Sequence, residues 1–233
     1  MCARTTLTND DLSELAEELD AEFSPDDAAA YKPRWNVAPT DVAWIVRFGA
    51  DRRVLLPAVW GYQPSRGRRP GPARPLINVR GEQVASGSGF RDAFADRRCA
   101  VVTDGFYEWP GQGQAPFWFH RADGGLVLLG GLYQDAGPAA GDRPRFTVLT
   151  TRPNKLIGAV HDRMPVILPV DPKRVDDWLT APPVTAAGMI GPAPEEILVA
   201  TPVSKHVNSV RNDDPTCIAP AQHAPAPLQG TLF

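Results

Sequence analysis

Proline recurs too often along this chain for any regular element to run long. There are 25 prolines and 20 glycines among 233 residues. A proline inside a helix removes a hydrogen bond and clashes with the preceding turn, and one inside a central strand removes a rung of the ladder. The apolar residues between prolines must therefore work in short pieces. Residues 41–48, 54–62, 99–103, 116–120, 126–133, 146–151 and 165–168 read as strands. Helical spacing is found over 10–23, where Leu12, Leu15, Ala16, Leu19 and Phe23 share a face and Thr8, Asn9 or Asp10 can cap. A short helix is predicted over 88–95, and another starts at Asp171-Pro172, with Val175 and Trp178 on its buried face. Most strands follow one another with short turns. That order predicts an α+β fold: one β-rich domain of mostly antiparallel, curved, barrel-like sheets with a few short helices. The domain is expected to span residues 1–220, with the Pro/Ala-rich residues 221–233 as a disordered tail. Stretches 135–144 and 181–194 read as surface connections, and Arg66–Arg74 ("RGRRPGPAR") as a basic loop.

A 43% hydrophobic, 22% charged chain of this length can bury most of its apolar surface without staples. The net charge of −3 excludes a whole-protein basic field, so any nucleic acid must bind through a local patch. Cys2, Cys99 and Cys217 are odd in number and lack metal spacing, which predicts free thiols in a reducing compartment. No apolar run reaches membrane-spanning length and residues 1–20 lack a signal-peptide core, so a cytoplasmic protein is expected.

Reactive side chains gather in a handful of segments: Cys2 with Arg4; "RWNVAPTD", fixed by Pro39; "NVRGEQ"; "DGFYEW"; and "HDRMPVIL". On an extended backbone Asn78, Arg80 and Glu82 would share a face. Glu108 sits between Tyr107 and Trp109, and a carboxylate packed on aromatics has a raised pKa suited to proton transfer. His161 and Arg163 enter an apolar strand. Each has a plainer reading when taken singly. A glutamate beside aromatics is more often at the surface or ion-paired, His161 alone would be a structural hydrogen-bonder, and Trp60 and Trp109 would be core. A nucleophile elbow, a P-loop and a paired C-x-x-C are all absent from the sequence.

Together the segments resemble the SRAP family (SOS-response-associated peptidase), which includes a bacterial enzyme and a eukaryotic 5-hydroxymethylcytosine-binding relative. The resemblance runs through Met1-Cys2, "RWNVAPTD", "VWGYQP", "NVRGE", "RRCAVVTDGFYEW", "TTRPNKLIGAVHDRMPVIL" and "VSKHVNSVRNDDP", in family order over about residues 1–220. Two local departures are Ala3, where the family usually has Gly, and the residues around Arg80 in "NVRGE".

The resemblance implies that Met1 is removed and that Cys2 is the nucleophile. It implies that Asn78 holds the terminal amine or sugar, Glu108 shuttles protons and His161 assists as acid or base. Arg4, Arg80 and Arg163, with Thr151, would pair with phosphates, while Pro39, Trp60 and Trp109 would face bases. The partner it implies is single-stranded DNA containing abasic sites, bound by a monomer that is cytoplasmic and nucleoid-associated on DNA. Neither a metal nor an organic cofactor is expected. Elementary chemistry agrees on Cys2: an amino-terminal cysteine sets an α-amine of pKa about 8 beside a thiol of about 8.5. An aldehyde meeting that pair forms an imine, and the thiol closes on it to give a five-membered thiazolidine. No internal cysteine can do this. Two alternatives stand beside a crosslinking sensor of abasic sites: a cysteine autopeptidase removing its own leader, and a binder of modified or single-stranded DNA without chemistry.

Overall fold

The computed structural model describes residues 2–63, 74–84, 89–111, 115–137, 142–221 and 228–229. Its elements are short, as the prolines require. Strand β1 (Thr5–Leu7) leads to α1 (Leu12–Glu18), β2 (Ala21–Glu22) and α2 (Pro25–Ala28). Then come β3 (Arg34–Val37), β4 (Val42–Phe48), β5 (Arg53–Trp60), β6 (Asn78–Arg80), α3 (Gly81–Val84) and α4 (Arg91–Asp96). The middle of the chain gives β7 (Arg98–Val102), β8 (Gly105–Glu108), β9 (Phe117–His120), β10 (Leu128–Gln134) and β11 (Arg145–Thr151). It closes with α5 (Lys155–Gly158), β12 (Met164–Pro165), β13 (Ile167–Leu168), α6 (Pro172–Thr180), α7 (Pro183–Ala187), β14 (Val199–Pro202) and β15 (Leu228–Gln229). Among the described residues no helix is long and apolar enough to cross a membrane.

Two sheets form, in the orders β15-β14-β9-β8-β1-β3 and β12-β11-β10-β7-β4-β5-β2. Pairing is mostly antiparallel. A parallel contact of β5 with β11, matching Val59 to Arg145 and Trp60 to Phe146, joins β5-β4-β7-β10-β11 into a ring. The expected curved, barrel-like sheet is this ring. Strand alternation gives it two apolar faces. Trp44, Val46, Ala100 and Val102 pack with Leu12 and Leu15 of α1, Phe94 of α4 and Trp178 of α6. Ala43, Ile45, Cys99 and Val101 pack with Phe106 and Phe119 of the first sheet and with Cys2.

Several boundaries differ from expectation. The helix expected over 10–23 stops at Glu18, because Asp20 takes a left-handed φ of 46° and frees Ala21–Glu22 to pair with β5. Its cap is Asp11, whose Oδ1 accepts from Ser13 N at 2.7 Å, not residues 8–10. The strand expected over 165–168 is two, since the chain crosses at Val166 from β11 to β10. Stretch 181–194 is not a bare connection: it holds α7, started by Pro183, and buries Ala186 and Ala193. The helix starting after Asp171 forms as expected, with Val175 and Trp178 buried. The basic loop lies outside the described residues apart from Arg74, and the tail lies outside them apart from residue 221 and β15, which pairs with Val199–Ala200.

Candidate active site

The site is built where the amino terminus meets the ends of β6 and β8. Strand β1 lies between β3 and β8, and Tyr107 N donates to Arg4 O at 3.0 Å, so residues 2–4 run alongside Tyr107 and Glu108. Cys2 is only 1% exposed and packs with Phe106, Ile157 and Met164. Burial, and next the charge of Glu108, push its thiol well above the usual range. Its carbonyl accepts from Asn78 Nδ2 at 2.7 Å. Asn78 opens β6, which is carried in parallel by β11 through Asn78–Val148 and Arg80–Thr150. The other end of the Asn78 amide, Oδ1, is buried without a hydrogen-bond partner among the described residues. A buried acceptor left unused costs free energy, which marks it as aimed at something still to arrive.

Glu108 ends β8 and is 1% exposed, and burial raises its carboxyl to about 7. The expected raised pKa is there, but the aromatic neighbours do not cause it. On a strand, Tyr107 and Trp109 point to the opposite face, where both pack with Val207 and Cys217. Glu108 shares the face of Phe106, whose cluster includes Cys2. Gly105 opens this strand because a Cβ there would stand 2.2 Å from Trp118 Nε1. His161 follows α5, which Asn154 caps by accepting from Ile157 N at 3.0 Å. Its Nδ1 lies 3.0 Å from Arg163 N, and burial lowers the ring's pKa. The same Nδ1 also lies 3.0 Å from Asp162 Oδ1.

The expected contact residues fare unevenly. Arg80 is exposed at the end of β6. Arg4 is half-buried, donating to Asn36 Oδ1 at 2.8 Å and Val207 O at 2.9 Å, with its guanidinium 5.9 Å from the Trp109 ring. Trp109 is half-buried and donates to Asn208 Oδ1 at 2.8 Å. Pro39 is half-buried before Thr40, which has φ 76°. Trp60 offers no surface to a base: it is 1% exposed, stacks on Phe146 and donates to Ile77 O at 2.8 Å, which fixes the entry to β6. Thr151 is likewise buried, at 2%, and its hydroxyl is engaged by the Glu82 carboxylate. Arg80 and Asn78 share a strand, but Glu82 does not continue it, because α3 begins at Gly81. That turn needs glycine: a Cβ at Gly81 would stand 2.7 Å from Ile190 and 3.2 Å from Thr150 O. Glu82 instead grips Arg163, at 2.9 and 2.7 Å.

Sequence reasoning missed Asn36 and Asp213. Fully buried Asn36 donates to Val207 O, Ser209 O and Asn212 O at 2.7–3.1 Å while accepting from Arg4. Asp213 accepts from the backbone of Trp35 and Asn36 and pairs with Arg34. Both lie in segments that carried the resemblance, and a polar residue inside an apolar strand was the available signal. His206, Asp214 and Cys217 bring three potential metal ligands within 4.8 Å of one another. Each already has a partner: His206 Nε2 meets Asp214 Oδ2 at 2.9 Å, Nδ1 faces the Asn212 amide at 3.1 Å, and Cys217 Sγ donates to Asn212 O at 3.5 Å. The cluster is a hydrogen-bonded knot that braces the loop holding Arg4. An open cavity of about 460 Å³, lined by Glu17, Asp20, Arg52, Arg53 and Asp176 among others, contains none of the site residues.

Residues 1–210 match the family model described as SOS response associated peptidase (SRAP). The abasic site processing protein YoqW of Bacillus subtilis is 30% identical over 228 residues, spanning 94% of this chain and 99% of YoqW. The abasic site processing protein YedK of Escherichia coli is 27% identical, spanning 94% of this chain and 100% of its own. The abasic site processing protein HMCES of Gallus gallus is 30% identical, spanning 82% and 67% respectively. Among solved structures, a protein from Bacteroides thetaiotaomicron shares the fold with a TM-score of 0.77 at 18% identity, covering 94% of this chain and all of that one. One from Bordetella bronchiseptica gives 0.70 at 27% identity, covering 87% of this chain and all of its own.

Proposed function

The chain belongs to the SRAP family, and from that premise we propose that it processes abasic sites in single-stranded DNA by forming a covalent thiazolidine through Cys2. The observation that carries this reading is the meeting at the amino terminus of buried Cys2, buried Glu108, whose carboxyl is raised to about 7, and half-buried Asn78, whose amide holds the Cys2 carbonyl. The names of YoqW, YedK and HMCES, each an abasic site processing protein, support the substrate class.

Removal of Met1 gives Cys2 a free α-amine. The amine adds to the aldehyde carbon of the ring-opened sugar and water leaves, forming an imine. The thiol then adds to the same carbon, its proton departs and the imine nitrogen gains one, so the net loss is one water. A thiol pushed up by burial is not ionised beforehand, so its proton must leave as sulfur attacks. Glu108 in its ionised form takes that proton, and in its neutral form it supplies the proton that expels water. Asn78 steadies the Cys2 carbonyl and leaves Oδ1 to accept from the new amine or a sugar hydroxyl. His161 assists as acid or base at the opened sugar's oxygen. Exposed Arg80 meets a backbone phosphate and half-buried Trp109 meets a neighbouring base, which favours unpaired strands. On this reading the protein works as a monomer in the cytoplasm, and with the nucleoid when on DNA.

A second reading comes from an overlapping set of side chains. Cys2, Glu108 and His161 could hydrolyse the Met1–Cys2 bond, as the family's description suggests. Intact mass spectrometry with and without abasic single-stranded DNA tests both readings. Loss of one methionine, followed by an adduct weighing the oligonucleotide less one water, is the expected result. A retained Met1 with no adduct would overturn the crosslinking mechanism, and Met1 retained by the Glu108→Gln variant alone would favour self-cleavage.

A further inference from the structure

The three arginines expected to meet phosphates are not equivalent in charge. Arg80 is exposed. Arg4 is hydrogen-bonded by neutral acceptors, Asn36 Oδ1 and Val207 O, and not by a carboxylate. Arg163 is different: both terminal nitrogens bond the Glu82 carboxylate, at 2.9 and 2.7 Å, in a bidentate pair. Its side chain is 16% exposed, against 46% for Glu82, so the carboxylate is the more outward partner. The guanidinium also donates to Thr150 O at 2.7 Å, a second anchor independent of Glu82. Glu82 is fixed in its turn by the tight corner at Gly81, directly after Arg80.

We propose that Glu82 is a specificity-determining residue, which cancels the charge of Arg163 and so limits the grip of the site on undamaged single-stranded DNA. This rests on the DNA-binding reading above. An approaching strand meets the outward carboxylate before the cation behind it, so the pair adds little to non-specific attraction. Long residence then depends on the covalent step, which only an abasic site can supply. With the carboxylate neutralised, Thr150 keeps Arg163 in position and its charge becomes available to a phosphate.

The experiment is fluorescence anisotropy of an undamaged single-stranded oligonucleotide across a salt series, with wild type, Glu82→Gln, Arg163→Gln and the double variant. One additional phosphate contact to a single strand steepens log K against log salt by about 0.7, or about fivefold tighter binding near 0.1 M salt. Glu82→Gln is expected to show that steepening and gain. In the Arg163→Gln background the same change should leave the slope where it was. Undamaged competitor should also suppress crosslinking of an abasic oligonucleotide at about fivefold lower concentration with Glu82→Gln. Glu82→Ser carries the same expectation should the glutamine variant fail to fold. A folded variant that binds undamaged DNA no more tightly than wild type overturns the proposal, as does equal steepening without Arg163. Wild type that neither binds nor crosslinks single-stranded DNA overturns the underlying reading as well, so the two failures are distinct.

Discussion

A carboxyl raised from 4.5 to about 7 by burial sets function against stability at one residue. At about 1.4 kcal/mol per pH unit, that rise corresponds to about 3 kcal/mol between the protonated and ionised folded states. The sign follows from proton binding. The folded chain holds the Glu108 proton more tightly than the unfolded chain does, so the ionised form destabilises the fold. The native state therefore has its full relative stability below pH 4.5, and loses it as pH rises through about 7. Glu108→Gln keeps the shape and abolishes the titration. The variant should be more stable than wild type at pH 8, by up to about 3 kcal/mol, and equal to it near pH 4. At about 2–4 °C per kcal/mol for a chain of this size, the gain in melting temperature at pH 8 is at most about 12 °C. Thermal unfolding from pH 4 to 8, with both proteins stripped of DNA, measures it. The same variant should slow crosslinking about 10²–10⁴-fold, the usual worth of a general acid–base. A glutamine variant that is less stable at pH 8, or offset equally at every pH, would refute the assignment of burial as the cause.

Other outcomes follow from single contacts. Cys2→Ala should give no heat-stable adduct on a denaturing gel, while borohydride should still trap an imine through the remaining amine; an unchanged adduct would sink the thiazolidine. Replacing His161 with Ala should slow adduct formation in a time course while leaving the affinity for undamaged single strands near wild type. Asn36→Ala strands several carbonyls and releases Arg4, so it should cost about 2–3 kcal/mol in denaturant melts and weaken DNA binding in the same preparation.

The strands of the ring were legible because their apolar alternation survives between prolines, and each fell within a residue or two of where the pattern put it; in the other sheet only β9 was, since β1, β3, β8 and β14 are short and mix polar with apolar residues. The curvature was expected, but the pairing that closes the ring was not legible. It depends on Val59–Trp60 meeting Arg145–Phe146 side by side, a pairing of distant segments that no local pattern encodes. Glu108 shows a right expectation with the wrong cause, since sequence neighbours on a strand are not spatial neighbours. Trp60 shows the reverse: an aromatic in a motif reads as a surface only until burial is known, and here its ring belongs to the core. Asp20 ended α1 through a backbone angle that composition does not announce. The pairing of "RWNVAPTD" with "VSKHVNSVRNDDP" explains why both segments carry so many polar residues: they hydrogen-bond each other through Asn36 and Asp213.

The hold on Arg4 also sets an order of events during synthesis. Its anchor Val207 lies 203 residues downstream. A ribosome adding about 5–20 residues per second adds Val207 roughly 10–40 s after Arg4. Throughout that interval the first residues have no lasting dock, and the peptide bond before Cys2 is open to a processing enzyme. Once the loop around Val207 closes on Arg4 and Asn36, residues 2–4 are docked and Cys2 is 1% exposed. On the crosslinking reading, removal of Met1 would fall within that interval, before the terminus docks.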